Sequence, residues 1–274
     1  MDLTSPKTIK EILEEFGAKP SKGLGQNFLI DKNILQKIID SSDIKEDDIV
    51  LEIGPGMGTL THELAKKAKK VIAIEKDQTM VDILSKTISQ FNNVQIISQD
   101  ILETKIEDLK LENNKYKVIA NIPYYLTSPL IRKLLEEKIR PSEIILMIQK
   151  EVAQRICAKV GDMNLLAVSV QFYAEPKIIS YVKKGCFFPA PKIDSAIIKI
   201  TPKENPTVNI DLFFKIVKAG FSHPRKQLQN NFNVALNIEK DKILEWLDKN
   251  NIKPNQRAET LSVNDWKNLT KSFV

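Results

Sequence analysis

The chain has 274 residues, 42% hydrophobic and 28% charged. These are the proportions of an ordinary globular protein with room for one or two cores, and no apolar run approaches the roughly 18 residues of a membrane span. A formal net charge of +6 is a modest pointer to a polyanionic partner and decides nothing alone.

Residues 8–16 have the spacing of a short amphipathic helix, with Ile9, Ile12, Leu13 and Phe16 on one face. The same stretch carries Glu11, Glu14 and Glu15 after Asp2 and has no apolar signal core, so the expected location is the cytoplasm rather than a secreted compartment. A basic, glycine-containing loop over residues 19–28 follows. Asp31 reads as the cap of a second helix carrying Ile34, Leu35, Ile38 and Ile39.

From Asp48 the pattern alternates between strands and helices. Strands are expected at 49–53, 71–75, 94–98, 117–120 and 143–149, with a helix at 59–70 and another capped by Asp77. That order predicts an α/β fold, a doubly wound and mostly parallel sheet whose continuously apolar strands lie under helices on both faces. Helices are expected at 152–160 and 165–173, and strands at 177–181 and 195–200 around a proline-rich loop that begins at Phe187 and Phe188. The composition changes near Pro202. Lys203-Glu204-Asn205-Pro206 reads as a linker, and helices are expected at 212–220, 240–250 and 263–273. Residues 203–274 hold twelve Lys or Arg against eight Asp or Glu, so this small helical domain carries most of the excess positive charge. The expected division is a catalytic domain at 1–202, opening with a helical extension at 1–45, and a helical domain at 203–274. The two cysteines, Cys157 and Cys186, have neither metal nor disulfide spacing and read as reduced thiols. No metal site is expected.

Two segments carry the chemistry. The first is Glu52-Ile53-Gly54-Pro55-Gly56-Met57-Gly58, a glycine turn between a strand and a helix. Glycines there allow positive φ and close approach of a ligand to the backbone. Glu75 ends the next strand, where a carboxylate can accept both hydroxyls of a ribose. Asp100, past the third strand, is placed for an adenine amino group. A dinucleotide turn has G-x-G-x-x-G spacing; the spacing here is G-x-G-x-G after an acidic residue, the form commoner for S-adenosylmethionine.

The second segment is Asn121-Ile122-Pro123-Tyr124, at the end of the fourth strand and so on the same edge of the sheet. Pro123 fixes its own φ and holds Ile122 extended. The Asn121 side-chain oxygen and the Ile122 carbonyl can then each accept one N–H of an exocyclic amine. Tyr124 offers a flat face for a base. Such a clamp calls for no strong general base, and neither histidine, His62 or His223, lies in it; His62 reads as structural.

With these motifs in place, the chain resembles the ribosomal RNA adenine N6,N6-dimethyltransferases over nearly its whole length. The resemblance implies a Rossmann-like class I methyltransferase sheet, a small all-helical C-terminal domain and S-adenosyl-L-methionine as cofactor. It implies cofactor contacts at Gln26, Asn27, Leu29, Gly54, Gly56, Glu75, Lys76, Asp100, Ile101 and Asn121, and substrate contacts at Asn121, Ile122, Pro123 and Tyr124. The segment from Phe187 to Ser195 resembles the one that gives the target base a second aromatic wall, with Phe187 favoured and Phe188 the rival. The segments beginning at Phe221 and Arg257 resemble the small-subunit branch, which modifies two adjacent adenines near the 3′ end of small-subunit (16S) rRNA during assembly. Arg225 and Lys226 are the expected RNA phosphate contacts. The implied partner is small-subunit rRNA in an immature 30S particle, with no membrane and no obligate protein partner. The alternatives are the large-subunit, macrolide-resistance branch and a DNA adenine-N6 methyltransferase.

Overall fold

The computed structural model describes every residue except Lys22, Asn205, Pro206 and Val274. Lys22 of the basic loop and two of the four linker residues therefore lie outside the described residues. In chain order the first elements are α1 (Pro6–Glu15), β1 (Phe28–Leu29), α2 (Lys32–Ser41), β2 (Ile49–Ile53), α3 (Thr59–Ala65), β3 (Lys70–Glu75), α4 (Gln78–Thr87), β4 (Val94–Ser98), β5 (Tyr116–Asn121), α5 (Thr127–Glu136) and β6 (Glu143–Gln149). Then come α6 (Lys150–Ile156), α7 (Leu165–Tyr173), β7 (Ala174–Val182), β8 (Phe187–Phe188), β9 (Ser195–Pro202), α8 (Ile210–Gly220), α9 (Leu228–Leu236), α10 (Lys240–Lys249) and α11 (Val263–Lys271).

Cap chemistry starts many of the helices. Asp31 accepts the amides of Asn33 and Ile34 to start α2, and Asp77 accepts Thr79 to start α4. Ser262 and Asp265 form a reciprocal capping box on α11. Seven strands lie in the order β4-β3-β2-β5-β6-β9-β7. Pairing is parallel from β4 through β6, and β9 runs antiparallel to β6. Val50, Leu51, Val71, Ala73, Val118, Ile119, Ile144, Ile145 and Ile148 are fully buried, which is why these strands read as continuous apolar runs. A two-stranded antiparallel ribbon pairs β1 with β8, Phe28 opposite Phe188 and Leu29 opposite Phe187.

The expected helix over 59–70 is shorter, because the amides of Lys69 and Lys70 already donate to the Asp48 carbonyl and carry the chain into β3. The helix expected at 152–160 starts at the end of β6 and stops at Ile156. There Asn164 donates to the Arg155 carbonyl, and Gln171 to the carbonyls of Ile156 and Ala158, so side chains replace the next helical turn. Helices α5 and α9 were not expected. α9 contains Asn230, Asn231 and Asn233, poor helix formers. Buried Asn231 donates to the carbonyls of Gly220 and His223 at 2.6 and 3.1 Å, a tertiary contact that no local pattern announces.

The chain forms two compact units, Met1–Ala153 with Pro176–Pro202, and Gln154–Glu175 with Lys203–Val274. The second unit thus recruits α7 beyond the boundary expected near Pro202. The reason is aromatic: Phe172 stacks on Phe213 with centroids 4.0 Å apart.

Gly58 closes the glycine turn at φ +89°, and a Cβ there would meet a Leu84 methyl at 2.8 Å. Strain and overpacking then add. Gly58→Ala is expected to lower stability by roughly 2–4 kcal/mol, read as a lower urea midpoint at unchanged m-value.

Candidate active site

The parallel strands end level with one another. Ile53 is opposite Ile74, Glu75 opposite Ser98, and Asn121 opposite Met147. The glycine turn, Glu75, Asp100 and Asn121 therefore leave the same edge of the sheet. Every residue expected to hold the cofactor or the amine, from Gln26 to Phe187, borders one cavity there.

Gly54 and Gly56 have φ of +65° and +55°, and a Cβ on Gly56 would sit 3.4 Å from the Phe28 ring. The turn is left-handed and tight, which restricts it to glycine. The Glu75 carboxylate is 8% exposed. One of its oxygens accepts the amides of Lys76 and Asp77, both at 2.9 Å, and the other accepts Gly56 at 3.1 Å. Burial raises its pKa against those three bonds. Asp100 accepts the Leu102 amide on one oxygen and the Lys76 ammonium, at 2.7 Å, on the other. Its pKa is lowered, chiefly by Lys76. Lys76 itself is exposed and spans the two acidic strand ends.

Gln26 is a brace. Its amide donates to Asp77 at 2.7 Å and accepts the Ser21 amide at 2.7 Å, tying the N-terminal loop to the end of β3. The Asn27 side chain donates to the Gly25 carbonyl, and the Asn27 carbonyl accepts Asn121 Nδ2 at 3.3 Å. That last bond engages the donor end of the Asn121 amide. Leu29 is buried in the core beneath the cavity, and Ile101 is buried in its wall.

Tyr124 is half-buried, and its hydroxyl shares a 2.8 Å hydrogen bond with Ser195 Oγ. Burial raises its pKa, so the phenol is a positioned neutral group rather than a base. Of the two candidate walls, Phe187 is buried and borders the cavity. Phe188 belongs to another cluster, with Lys10 Nζ 5.5 Å from its ring centroid. Tyr125 borders the cavity at 57% exposure and was not anticipated; its signal was only its place after Tyr124. Arg225 and Lys226 are exposed in the second unit, between α8 and α9. His62 bonds Gln90 and lies edge-on to Phe91, a packing role. Cys186 is a half-buried thiol donating to Asp31.

Glu52 is 1% exposed, borders the cavity, and has one oxygen, Oε2, with no hydrogen-bond partner. A buried acceptor without a donor is costly. Together with Glu75, Asp100 and the glycine cradle, it lines the cavity with carboxyl oxygens and closely approachable backbone. That fits S-adenosylmethionine, which carries an ammonium, ribose hydroxyls and an adenine amine.

A family model described as ribosomal RNA adenine dimethylase matches residues 17–274. The chain belongs to the ribosomal RNA adenine dimethylase family. It is 44% identical over 269 residues to the ribosomal RNA small subunit methyltransferase A of Dehalococcoides mccartyi strain BAV1, covering 97% of this chain and 92% of that one. It is 43% identical over 281 residues to the protein of that name from Alkaliphilus metalliredigens, covering 99% and 98%. Among solved structures it is similar to a dimethyladenosine transferase from Plasmodium falciparum, with 32% identity, TM-score 0.76, and 89% and 96% of the two chains covered. The 23S rRNA methyltransferase ErmE shares the fold at 24% identity and TM-score 0.73, over 90% and 99%.

Burial pushes the Glu52 carboxyl up to about 8 from an ordinary 4.5, with Glu75 adding to the rise. The folded protein then holds this proton more tightly than the unfolded chain does. Its contribution to stability is full below about pH 4.5 and is lost as pH rises toward 8. The slope is at most about 1.4 kcal/mol per pH unit. Urea midpoints of wild type and Glu52→Gln, measured from pH 5 to 9 without cofactor, are expected to diverge with rising pH, the variant holding its stability.

Proposed function

We propose that this protein transfers methyl groups from S-adenosylmethionine to the N6 amines of two adjacent adenines near the 3′ end of small-subunit rRNA, in the cytoplasm and on an immature small subunit. The observation that carries this reading is the Asn121 amide. Its nitrogen is engaged by the Asn27 carbonyl, at the rim of the cavity that also holds Glu75 and Asp100.

When bound, S-adenosylmethionine supplies a methyl group on a positively charged sulfur. Glu75, held by three backbone amides, is a rigid acceptor for the ribose hydroxyls. Asp100 is the acceptor for the adenine amine, and Lys76 must share it or move aside. With Nδ2 committed to Asn27, Asn121 turns its Oδ1 outward as an acceptor. That oxygen and the Ile122 carbonyl take the two N–H bonds of the target amine and draw its lone pair out of conjugation with the ring. Tyr124, fixed through Ser195, and Phe187 flank the base.

Histidine is missing from the cavity lining among the described residues, and Tyr124 stays protonated. Glu75 and Asp100 are engaged by backbone amides and Lys76, so catalysis rests on placement and on neutral acceptors rather than on proton abstraction. The product ammonium is acidic and gives its proton to water or a carbonyl. In the second round the amine has one N–H left, so one of the two acceptors loses its partner.

The small-subunit reading is favoured over the large-subunit one because relatives named for the small subunit reach 44% identity, against 24% for ErmE. Methyl incorporation from labelled cofactor is expected with immature small subunits, less with naked rRNA, and none with duplex DNA. Equal labelling of duplex DNA would overturn the reading. Asn121→Ala is expected to lower the single-turnover rate of both rounds by about 10²–10³-fold, the size of losing one preorganised polar contact. Full rates in both rounds would refute the clamp.

A further inference from the structure

Tyr181 is the last residue but one of β7 and is 51% exposed. Lys150, the first residue after β6, places its Nζ 5.1 Å from the centre of that ring. The Lys150 amide donates to the Asp194 carbonyl at 3.0 Å, and the Lys184 amide donates to Asp194 Oδ1 at 3.0 Å. The next residue, Ser195, holds the Tyr124 hydroxyl. A short chain of contacts thus runs from the catalytic tyrosine through residues 194–195 to Lys150 and Tyr181.

The charged residues nearest the ring are chiefly lysines. Lys150 touches the ring and Lys183 and Lys184 follow it closely in sequence, and none of the three is in an ion pair among the described residues. The nearby acid, Asp194, spends one oxygen on the Lys184 backbone. Lysines that hold no carboxylate beside an exposed aromatic ring are the footprint of a single-stranded nucleic acid, whose bases stack and whose phosphates are neutralised. An acidic protein surface would account for the charge but leave the ring unused.

We propose that Tyr181, with Lys150 and Lys184, forms a platform for the RNA strand beside the catalytic pocket, stacking a base that flanks the adenine being methylated. The inference rests on the proposed rRNA substrate and extends it. A strand with two adjacent target adenines always has one base in the pocket and a neighbour outside it. The platform holds that neighbour and sets the register for the second modification. It binds ribonucleotide by ring face and phosphate, so it takes any base.

The test uses the full-length protein, immature small subunits, and a single-stranded RNA of the rRNA 3′ end. Tyr181→Ala is expected to raise the KM for RNA about tenfold, with cofactor affinity by calorimetry and the melting temperature unchanged. Tyr181→Phe and Tyr181→Trp should restore KM, whereas Tyr181→Leu should not, since only a flat ring stacks. Lys150→Gln should reduce the slope of log K against log salt for RNA binding by about one, and Tyr181→Ala should increase the fraction of RNA modified at only one adenine. Wild-type KM and salt slope in both Tyr181→Ala and Lys150→Gln would overturn the platform. So would a defect seen with small subunits but absent with the RNA alone, which would assign the patch to a ribosomal protein. If wild type labels no small-subunit RNA at all, the failure lies with the proposed function, and the wild-type control separates the two.

Discussion

The parallel register of β2, β3, β4 and β5 is the constraint on which the rest depends. Parallel pairing gives every strand the same direction, so all carboxyl ends arrive on one edge. A glycine turn, two carboxylates and an asparagine, spread over some seventy residues of chain, then border one cavity. The fully buried apolar residues of these strands make the register costly to change, because a slip by one residue would exchange side chains of different shape within a close-packed core.

That edge gathers carboxyl groups in a poorly solvated place. Glu52 and Glu75 are both buried and both have raised pKa values, for the same first cause, burial. Three backbone amides hold Glu75 in place, while Glu52 has an oxygen with no donor. A buried carboxyl oxygen without a partner, beside a braced carboxylate, suits a ligand that brings N–H and O–H donors. The part of the cavity lined by Asn121, Ile122, Tyr124 and Phe187 is by contrast neutral, an amide, a carbonyl and two rings. One cavity thus has two chemically distinct sides, one of carboxyl groups and one of neutral acceptors and rings.

Much of this was legible in the chain. The strand limits at 49–53, 94–98 and 143–149 agree with β2, β4 and β6 because short runs rich in Val and Ile between polar or turn residues favour strands. Asp31 and Asp77 cap as their positions suggest. Less legible were elements stabilised from a distance. α9 depends on Asn231 reaching Gly220, and α6 ends where Asn164 and Gln171 take its carbonyls. Gln26 is likewise a brace to Asp77, a role that its neighbours in sequence do not show.

Sequence by itself determined the residue types and the alternation of strand and helix, because backbone φ restrictions, cap hydrogen bonds and apolar periodicity are local. It also carried the two motifs, since a glycine turn and an Asn-Ile-Pro-Tyr end constrain only their own few residues. Tertiary structure alone decided which way the Asn121 amide faces, that Phe187 rather than Phe188 borders the cavity, and that Lys76 occupies Asp100. Each of those outcomes is a contact between residues twenty or more positions apart, set by which strand ends the sheet brings together and not by the residues flanking them.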